Sequence, residues 1–216
     1  MNRTITVKGV GTASAAPDYT TLSMTLHTKG VTYEEALRSS SERVRRLQDA
    51  VKKAGIEKDA LKTASFDVDT DYKSKKDRSG VYHQIFVGYI CNQTLTVSFD
   101  FDNRLLSEIL SAIADSDAVP ELSIRFTVKD PEKIKTELLE NAAENARRKA
   151  EILCRASGVE LGTLVSIDYN WGELDVYSRT QYGLEDCAVM SNCAVPDITP
   201  DDVRASDTAT FVWEIR

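Results

Sequence analysis

The chain has 216 residues, of which 42% are hydrophobic and 28% charged, and its net charge at pH 7 is −7. This apolar content is enough for a packed core, so the composition excludes disorder over most of the chain. The negative charge argues against nonspecific binding to nucleic acid or anionic membranes, because both require a basic surface. No run approaches the roughly 20 apolar residues of a membrane-spanning helix, so we expect no transmembrane segment.

The cellular compartment is indicated by the N-terminus and by the cysteines. The opening MNRTITVKGVG lacks the apolar stretch of a signal peptide, which favours a cytoplasmic location for the chain as printed. If a leader has been removed, the location is periplasmic or extracellular instead. Four cysteines are few for a disulfide framework in a chain of this length. Reduced thiols are the simpler interpretation, although Cys187 and Cys193 share one segment and would pair in an oxidising compartment.

The first part of the chain predicts two strands followed by a long helix. Apolar and polar side chains alternate over residues 4–8 and again over residues 21–27, which is typical of half-buried strands. Thr32 followed three residues later by Glu35 is a capping box, which predicts the start of a helix. The apolar seam of that helix continues up to Gly55, where we expect the helix to end.

The middle of the chain predicts a hairpin, a short helix and a further strand. One strand passes through Phe66, the charged run at residues 73–80 indicates the hairpin tip, and a long strand returns over residues 82–101. Asp102 is a good N-cap for the short apolar helix that follows it. Clean alternation over residues 122–128 predicts the next strand.

The most strongly marked element is a helix from Asp130 to Gly158. Asp130 suits the N-cap, Pro131 suits the first helical position, and Gly158 suits a left-handed cap after the last turn. On its polar face, acidic and basic residues four apart predict the ion pairs Glu144–Arg148 and Glu151–Arg155. The predicted apolar face consists of Ile134, Leu138, Ala142, Ala146, Ala150 and Leu153.

The C-terminal part predicts two strands, at residues 164–171 and 209–215, on either side of an acidic segment. That segment, residues 172–207, is irregular in pattern and contains eight acidic and two basic residues, which account for −6 of the net charge. Long loops are usually functional or mobile, so we interpret this one as a candidate partner-contact region. Its candidate contact residues are Glu185, Asp186, Asp197, Asp201 and Asp202.

Adjacent strands separated by helices predict an α+β fold. We expect an antiparallel or mixed sheet with the helices packed on one face. Both ends of the chain supply strands, and the last strand requires sheet partners that are already in place. The sequence therefore predicts a single domain over residues 1–216, with the irregular acidic insertion at about 172–207.

Five stretches follow one another in an order and spacing that point to one family. They are ITVKGVGTASAAPDYTTLSM near the N-terminus, the turn from Phe86 to Tyr89, the Asp130-Pro131 helix start, the run ARRKAEILCRASGVELG, and the closing TATFVWEI. Together they span nearly the whole chain. In this combination the chain resembles the SIMPL-domain family, bacterial proteins described as periplasmic or oxidative-stress-defence proteins of unknown chemistry.

The resemblance implies a single α+β domain, homo-oligomeric assembly in some members, and no established catalytic or cofactor site. One branch of the family is named for association with a signalling kinase, which implies protein binding by analogy. The chain differs from many relatives because it shows no secretion signal. Its acidic, cysteine-bearing segment after Trp171 is also not one that the family pattern accounts for.

A cation site is one alternative that the acidic residues raise. Asp67, Asp69 and Asp71 alternate as at the start of a calcium loop. However, Tyr72 and Arg78 stand where that loop requires glycine and glutamate. A charged strand edge that deters aggregation is therefore the simpler interpretation.

The remaining motifs give weak signals. His27 and His83 have no metal-ligand spacing, so we interpret them as polar-face and hairpin histidines. The lysines of the run 73–80, between Tyr72 and Tyr82, would suit a nucleic-acid contact, but a solvated hairpin tip is favoured by the overall acidity. The sequence contains no dinucleotide fingerprint, P-loop or nucleophile elbow.

A hydroxyl-rich strand face is the candidate assembly surface. It faces either water or another subunit, and the pattern alone does not decide between the two. Its residues are Thr21, Ser23, Thr25, Thr94, Thr96 and Ser98.

The sequence therefore predicts a non-enzymatic, self-assembling binding or scaffolding protein, related to envelope or stress physiology. We expect a homo-oligomer with a protein partner, no nucleic acid, no cofactor, and no catalytic or metal-ligating residue. The alternative is a metal-dependent binder or enzyme that uses Cys187 and Cys193 in the acidic loop.

Overall fold

The computed structural model describes residues 3–77, 80–170, 174, 176–184 and 198–216, without the side chains of 181–184. The chain divides into two compact units. The first unit comprises residues 1–18, 126–179 and 200–216, and the second comprises residues 19–125 and 180–199. In chain order the elements are β1 (Thr4–Ala15), β2 (Tyr19–Gly30), α1 (Tyr33–Lys53), β3 (Lys62–Lys76), β4 (Tyr82–Asp100), α2 (Asn103–Ala114), β5 (Glu121–Thr127), α3 (Pro131–Ala156), β6 (Leu161–Asp168), β7 (Tyr177–Leu184) and β8 (Val203–Ile215).

The first unit is built on a three-stranded sheet with the order β1-β8-β6. Both strand pairs are antiparallel, so the two ends of the chain lie side by side in β1 and β8. The helix α3 packs on this sheet, and the apolar side chains between them form two clusters. The clusters include Val7, Ala146, Ala150, Phe211 and Trp213, and Ala13, Ile134, Leu138 and Val203.

Two glycines in β1 let α3 lie directly on the strand. A Cβ atom at Gly9 would stand 2.0 Å from the carbonyl oxygen of Ala142, and one at Gly11 would stand 1.9 Å from that of Leu138. Helix and strand backbones approach this closely only because both glycines lack a side chain. The small residues of α3 that face them, such as Ala142 and Ala146, serve the same close contact.

Polar side chains of α3 also satisfy the free edge of β1. Asn141 Nδ2 donates to the Thr12 carbonyl at 2.8 Å, Val10 N donates to Asn145 Oδ1 at 3.1 Å, and Lys149 Nζ donates to the Lys8 carbonyl at 3.1 Å. The three side chains are spaced four residues apart, so they lie on one face of the helix. They close an edge that would otherwise be available for pairing with another strand.

The predicted signals for α3 are confirmed at its ends. Asp130 Oδ1 accepts from Lys133 N at 3.3 Å, Pro131 is the first helical residue, and Gly158 has a φ of +69°. The ion pair Glu144–Arg148 is also present, at 3.0 Å.

Two details of α3 differ from the prediction. Leu153 is half exposed, and Cys154 is buried in its place, because the buried stripe shifts by one residue at the last turn. Glu151 pairs with Arg147, one turn before it, at 3.1 Å, where the sequence predicted a pair with Arg155.

The second unit contains the larger sheet, of five strands in the order β3-β4-β2-β5-β7. The helix α1 packs on β2 and β4, and α2 packs beside α1. The inward residues of β2 and the apolar residues of α2 are almost fully buried, as the alternation and the very apolar helix predicted. They are Leu22, Met24 and Leu26 in β2, and Leu106, Ile109, Leu110 and Ile113 in α2.

The predicted helix starts of the second unit are confirmed. Thr32 Oγ1 accepts from Glu35 N at 3.2 Å, and Glu35 Oε2 accepts in return from Thr32 N at 3.3 Å. Asp102 accepts from the first backbone N–H groups of α2. These side chains satisfy N–H groups that have no partner inside the helix.

The fold is α+β, as predicted, but it has two sheets where the sequence predicted one. The charged run predicted as a hairpin tip belongs to the strand β3 as far as Lys76, so the hairpin is longer than expected. The segment 172–207 contains β7, and β8 begins within it at Val203. That the chain folds as one cooperative domain stays a prediction.

Candidate functional site

The hydroxyl face of β2 and β4 forms three cross-strand pairs: Thr21 with Ser98, Ser23 with Thr96, and Thr25 with Thr94. The hydroxyl oxygens of the first pair lie 3.0 Å apart and those of the third pair 3.2 Å apart. The sequence therefore identified residues that share one face. Because these hydroxyls already bond to one another, they have less need of an outside partner.

The same sheet face continues into a network around His27. Its Nδ1 lies 2.7 Å from Asn92 Oδ1, and its Nε2 lies 3.4 Å from Glu121 Oε2. Asn92 Nδ2 in turn donates to Asp69 Oδ2 at 3.3 Å. His27 is on the polar face, as predicted, and both of its ring nitrogens face polar groups.

The three aspartates of β3 also reach this face, but they do not converge on one point: two lie beside Asn92 and the third pairs with a lysine. Asp67 lies opposite Asn92, Asp69 bonds that asparagine, and Asp71 pairs with Lys29 at 2.7 Å. Within the described residues no group of three histidine, cysteine or acidic side chains is placed to hold a metal ion. The arrangement is that of a charged strand edge with internal pairing.

Among the described residues of the second unit, the end of the β3–β4 hairpin is uncovered. We define the hairpin arm as residues 72–76 of β3 and 82–86 of β4. The strand β2 ends at Gly30, opposite Tyr89, so within the described pairings the arm strands pair only with each other. Nearly every residue of the arm is exposed on both faces.

Aromatic side chains follow one face of the hairpin arm. The rings of Tyr72 and Phe86 form a T-shaped pair at 5.7 Å, Phe86 contacts Tyr89 at 5.4 Å, and Tyr89 contacts Tyr33 of α1 at 5.8 Å. We call these residues, with Tyr82, the aromatic stripe. Tyr82, Tyr72 and Phe86 are 67%, 52% and 47% exposed. Aromatic residues in these arrangements are typical of interface anchors.

Positive charge is concentrated on the same arm. Lys73, Lys75 and Lys76 lie within five residues of β3, without an acidic side chain among them. Lys76 Nζ lies 5.6 Å from the ring centroid of Tyr82, which is a cation–π contact. The arm therefore combines exposed rings with a basic strand, on a chain whose net charge is negative.

Sequence reasoning recognised this hairpin but not its exposure. Apolar and polar side chains alternate along β3 and β4 whether or not another element covers the hairpin. The periodicity alone therefore gave no signal of its exposure. A signal was present in the lengths: the strands have 15 and 19 residues, whereas β2 has 12. A hairpin longer than its neighbouring strand must extend beyond it.

Two of the five acidic candidate residues lie within the described part of the chain. Asp201 and Asp202 are exposed. Glu185, Asp186 and Asp197, together with Cys187 and Cys193, lie outside the described residues. The other two cysteines, Cys91 and Cys154, are free and buried.

One pKa shift lies close to the C-terminal end of the acidic segment. Tyr169 Oη donates to Asp207 Oδ2 at 2.7 Å, and this hydrogen bond raises the pKa of Tyr169 above its ordinary value. The contact holds the residues after β6 against β8, so we assign it to the fold rather than to a site. Among the helices that the structure describes, none is both long and apolar enough to cross a membrane.

Curated proteins with a similar sequence come from bacteria. A 26 kDa periplasmic immunogenic protein of Brucella abortus (strain S19) is 29% identical over 166 residues, which are 76% of this chain and 65% of that protein. The protein of the same name from Brucella melitensis biotype 1 is 28% identical over the same shares. The uncharacterized protein YggE of Edwardsiella ictaluri is 24% identical over 77% of this chain and 67% of that protein.

These relatives bear on two predictions. The match spans about 65% of the length of the Brucella proteins. The Brucella proteins are named as periplasmic proteins. The predicted cytoplasmic location is therefore not supported, whereas the periplasmic alternative is consistent with these relatives. None of the three names is that of an enzyme.

The family resemblance is tested by the SIMPL sequence profile, which carries the description "Protein of unknown function (DUF541)". It matches residues 5–213. The match includes β1 with its two glycines, the root of the hairpin, α3 and the closing strand, which are the stretches that carried the resemblance. The chain therefore belongs to the SIMPL family.

Proposed function

We propose that this SIMPL protein is a self-assembling binding protein whose copies join through the hairpin arm. The observation that carries the proposal is the aromatic stripe, because its rings on the arm, those of Tyr72, Tyr82 and Phe86, are 47–67% exposed on a strand pair with two open faces. Exposed apolar area costs free energy in water, about 25 cal/mol for each Å² left uncovered. A second protein surface on the stripe would recover that free energy.

The hydroxyl face is the second assembly candidate, and two features rank it below the arm. Its side chains are mostly half-buried, and its hydroxyls bond in pairs across the strands. Little apolar area would be gained by covering it. It stays a prediction, as does the role of Asp201, Asp202 and their acidic neighbours as contacts for a different protein.

The proposed place of action is the periplasm, with a role in envelope or stress physiology. Support for the place comes from the Brucella relatives, which are named as periplasmic proteins. We further propose that the protein acts by binding rather than by catalysis. The alternative, a metal-dependent activity at Cys187 and Cys193, would need both cysteines to act as ligands.

The mass of the protein in solution tests the proposal. We expect light scattering to give a discrete multiple of 24.0 kDa, the mass of one chain, at micromolar concentration. The mass should not change with reductant, because the proposed contact involves no disulfide. A mass of 24.0 kDa at every concentration up to the millimolar range would reject self-assembly.

A further inference from the structure

The first unit exposes an apolar groove beside the strand β6. Its floor is the stacked pair Phe211 and Trp213, whose ring centroids lie 5.5 Å apart. Leu164 and Ile167 of β6 form one wall and are about half exposed, and the other wall is α3. The groove has a volume of about 520 Å³, within the roughly 300–1,000 Å³ of pockets that enclose small ligands. It is large enough to receive aromatic side chains.

The edge of the sheet at this groove is open. Among the described residues, β6 is the last strand of its sheet, and it pairs only with β8. On the opposite edge, α3 covers β1 with the side chains of Asn141, Asn145 and Lys149. In the part of the chain that the structure describes, no side chain covers β6 in this way. An open, apolar edge strand is a template for one more strand.

The charges of this edge are opposite to those of the hairpin arm. Residues 160–168 contain two charged side chains, Glu160 and Asp168, which are both acidic and exposed. Residues 72–76 of the arm contain three lysines and no acid. Two copies that each carry a net charge of −7 repel one another, so a contact that joins a basic strand to an acidic edge is favoured.

Symmetric contacts would be opposed by the same charges. If two arms paired with each other, the lysines of one copy would lie beside the lysines of the second copy. If two β6 edges paired in antiparallel fashion, Glu160 of one copy would approach Asp168 of the second copy. Like charges on neighbouring strands are destabilising. The pairing of an arm with an edge avoids both repulsions.

We propose that the hairpin arm of a second copy docks at β6, with residues 72–76 added as a fourth strand and the aromatic stripe in the groove over Phe211 and Trp213. This inference rests on the proposed self-assembly and names the surface that receives the arm. The two surfaces of such a contact differ, so each copy offers one arm and one edge. Assembly therefore proceeds head to tail, and the discrete mass that we expect requires that it close into a ring.

Charge reversal of exposed side chains tests this pairing. The arm variant carries Lys75→Glu and Lys76→Glu, and the edge variant carries Glu160→Lys and Asp168→Lys. A third protein combines all four changes, and a control carries Asp59→Lys and Asp115→Lys, two exposed acids that lie outside the hairpin arm, β6 and α3. Circular dichroism should show the same fold in all of them, because no changed side chain is buried.

We expect the arm variant and the edge variant each to require at least about 10-fold more protein for half-assembly, as measured by light scattering. The combined variant should return to within about 3-fold of the unchanged protein, because its charges are again opposite. The control should assemble as the unchanged protein does.

Three outcomes would overturn the account in different ways. If the unchanged protein is a monomer, the proposed function itself fails. If it assembles and the edge variant assembles equally well, the arm docks elsewhere and only the present inference fails. If both paired variants lose assembly and the combined variant does not recover it, the arm and the edge do not pair with each other.

Discussion

Replacing Gly11 with alanine is expected to lower the free energy of unfolding by about 3 kcal/mol or more. The new Cβ would lie 1.9 Å from the carbonyl oxygen of Leu138 and 2.8 Å from its carbonyl carbon. These are backbone atoms of α3, so no side-chain rotation relieves the overlap. The helix would have to move away from β1, and the bond from Asn141 to the Thr12 carbonyl would be lost with the core contacts nearby.

Urea denaturation of the purified variant measures this effect. A matched control is Gly158→Ala, because a Cβ there would meet no atom within 4 Å, although φ is +69°. That substitution should cost only about 1 kcal/mol, from backbone conformation alone. If the free energy of unfolding of the Gly11 variant is within 1 kcal/mol of that of the unchanged protein, α3 does not lie on β1 as closely as described.

Replacing both Tyr72 and Phe86 with serine is expected to convert the assembled protein into a 24.0 kDa monomer. The two rings contact each other at 5.7 Å and are central to the aromatic stripe. Aromatic anchors of interfaces typically contribute about 2 kcal/mol or more each, so the dissociation constant should rise at least about 100-fold. Because both side chains are about half exposed, the stability of the monomer should change by only about 1 kcal/mol.

Light scattering at matched concentration measures the loss of assembly. The control is Ile152→Ser, which removes an apolar side chain that is similarly exposed, but on α3 rather than on the hairpin arm. It should leave the mass of the assembly unchanged. An arm variant that keeps the assembled mass would remove the arm from the contact and return attention to the hydroxyl face.

Local signals in the sequence were sufficient for the helices. Thr32 with Glu35, Asp102, and Asp130 with Pro131 each lie where a side chain must satisfy unpaired N–H groups, and that need depends only on neighbouring residues. The fold class followed from the order of these elements. The shared face of Thr25 and Thr94 was also predictable, because alternation in a strand fixes the side of the sheet.

What the sequence did not reveal depends on contacts between distant residues. The strand pattern of β1 gives no reason for Gly9 and Gly11, whose absent side chains admit the backbone of α3, more than 120 residues later. The division into two sheets depends on which strands pair, and the pattern of each strand is the same in either arrangement. The open edge at β6 likewise depends on the position of α3, because this helix covers the opposite edge of the same sheet.

The aromatic stripe could not be separated from ordinary strand residues for a similar reason. Tyr72 and Phe86 have the alternation of a half-buried strand, and Cys91, further along β4, is buried as the same pattern predicts. The difference is whether α1 or β2 reaches that far along the hairpin. Which residues of the hairpin are covered by α1 or β2 is decided by the fold. The candidate site is the hairpin arm, which neither element covers.

Hydrogen exchange of the backbone amides in the hairpin arm tests the central claim most directly. The rates at residues 72–76 and 82–86 should be compared above and below the concentration at which the protein assembles, with the amides of β1 as an internal reference. We predict slower exchange at high concentration in the arm, because its open strand gains partners in the assembly, and no change in β1. Equal exchange rates in the arm at both concentrations, in a protein whose mass shows assembly, would contradict the claim that copies join through the arm.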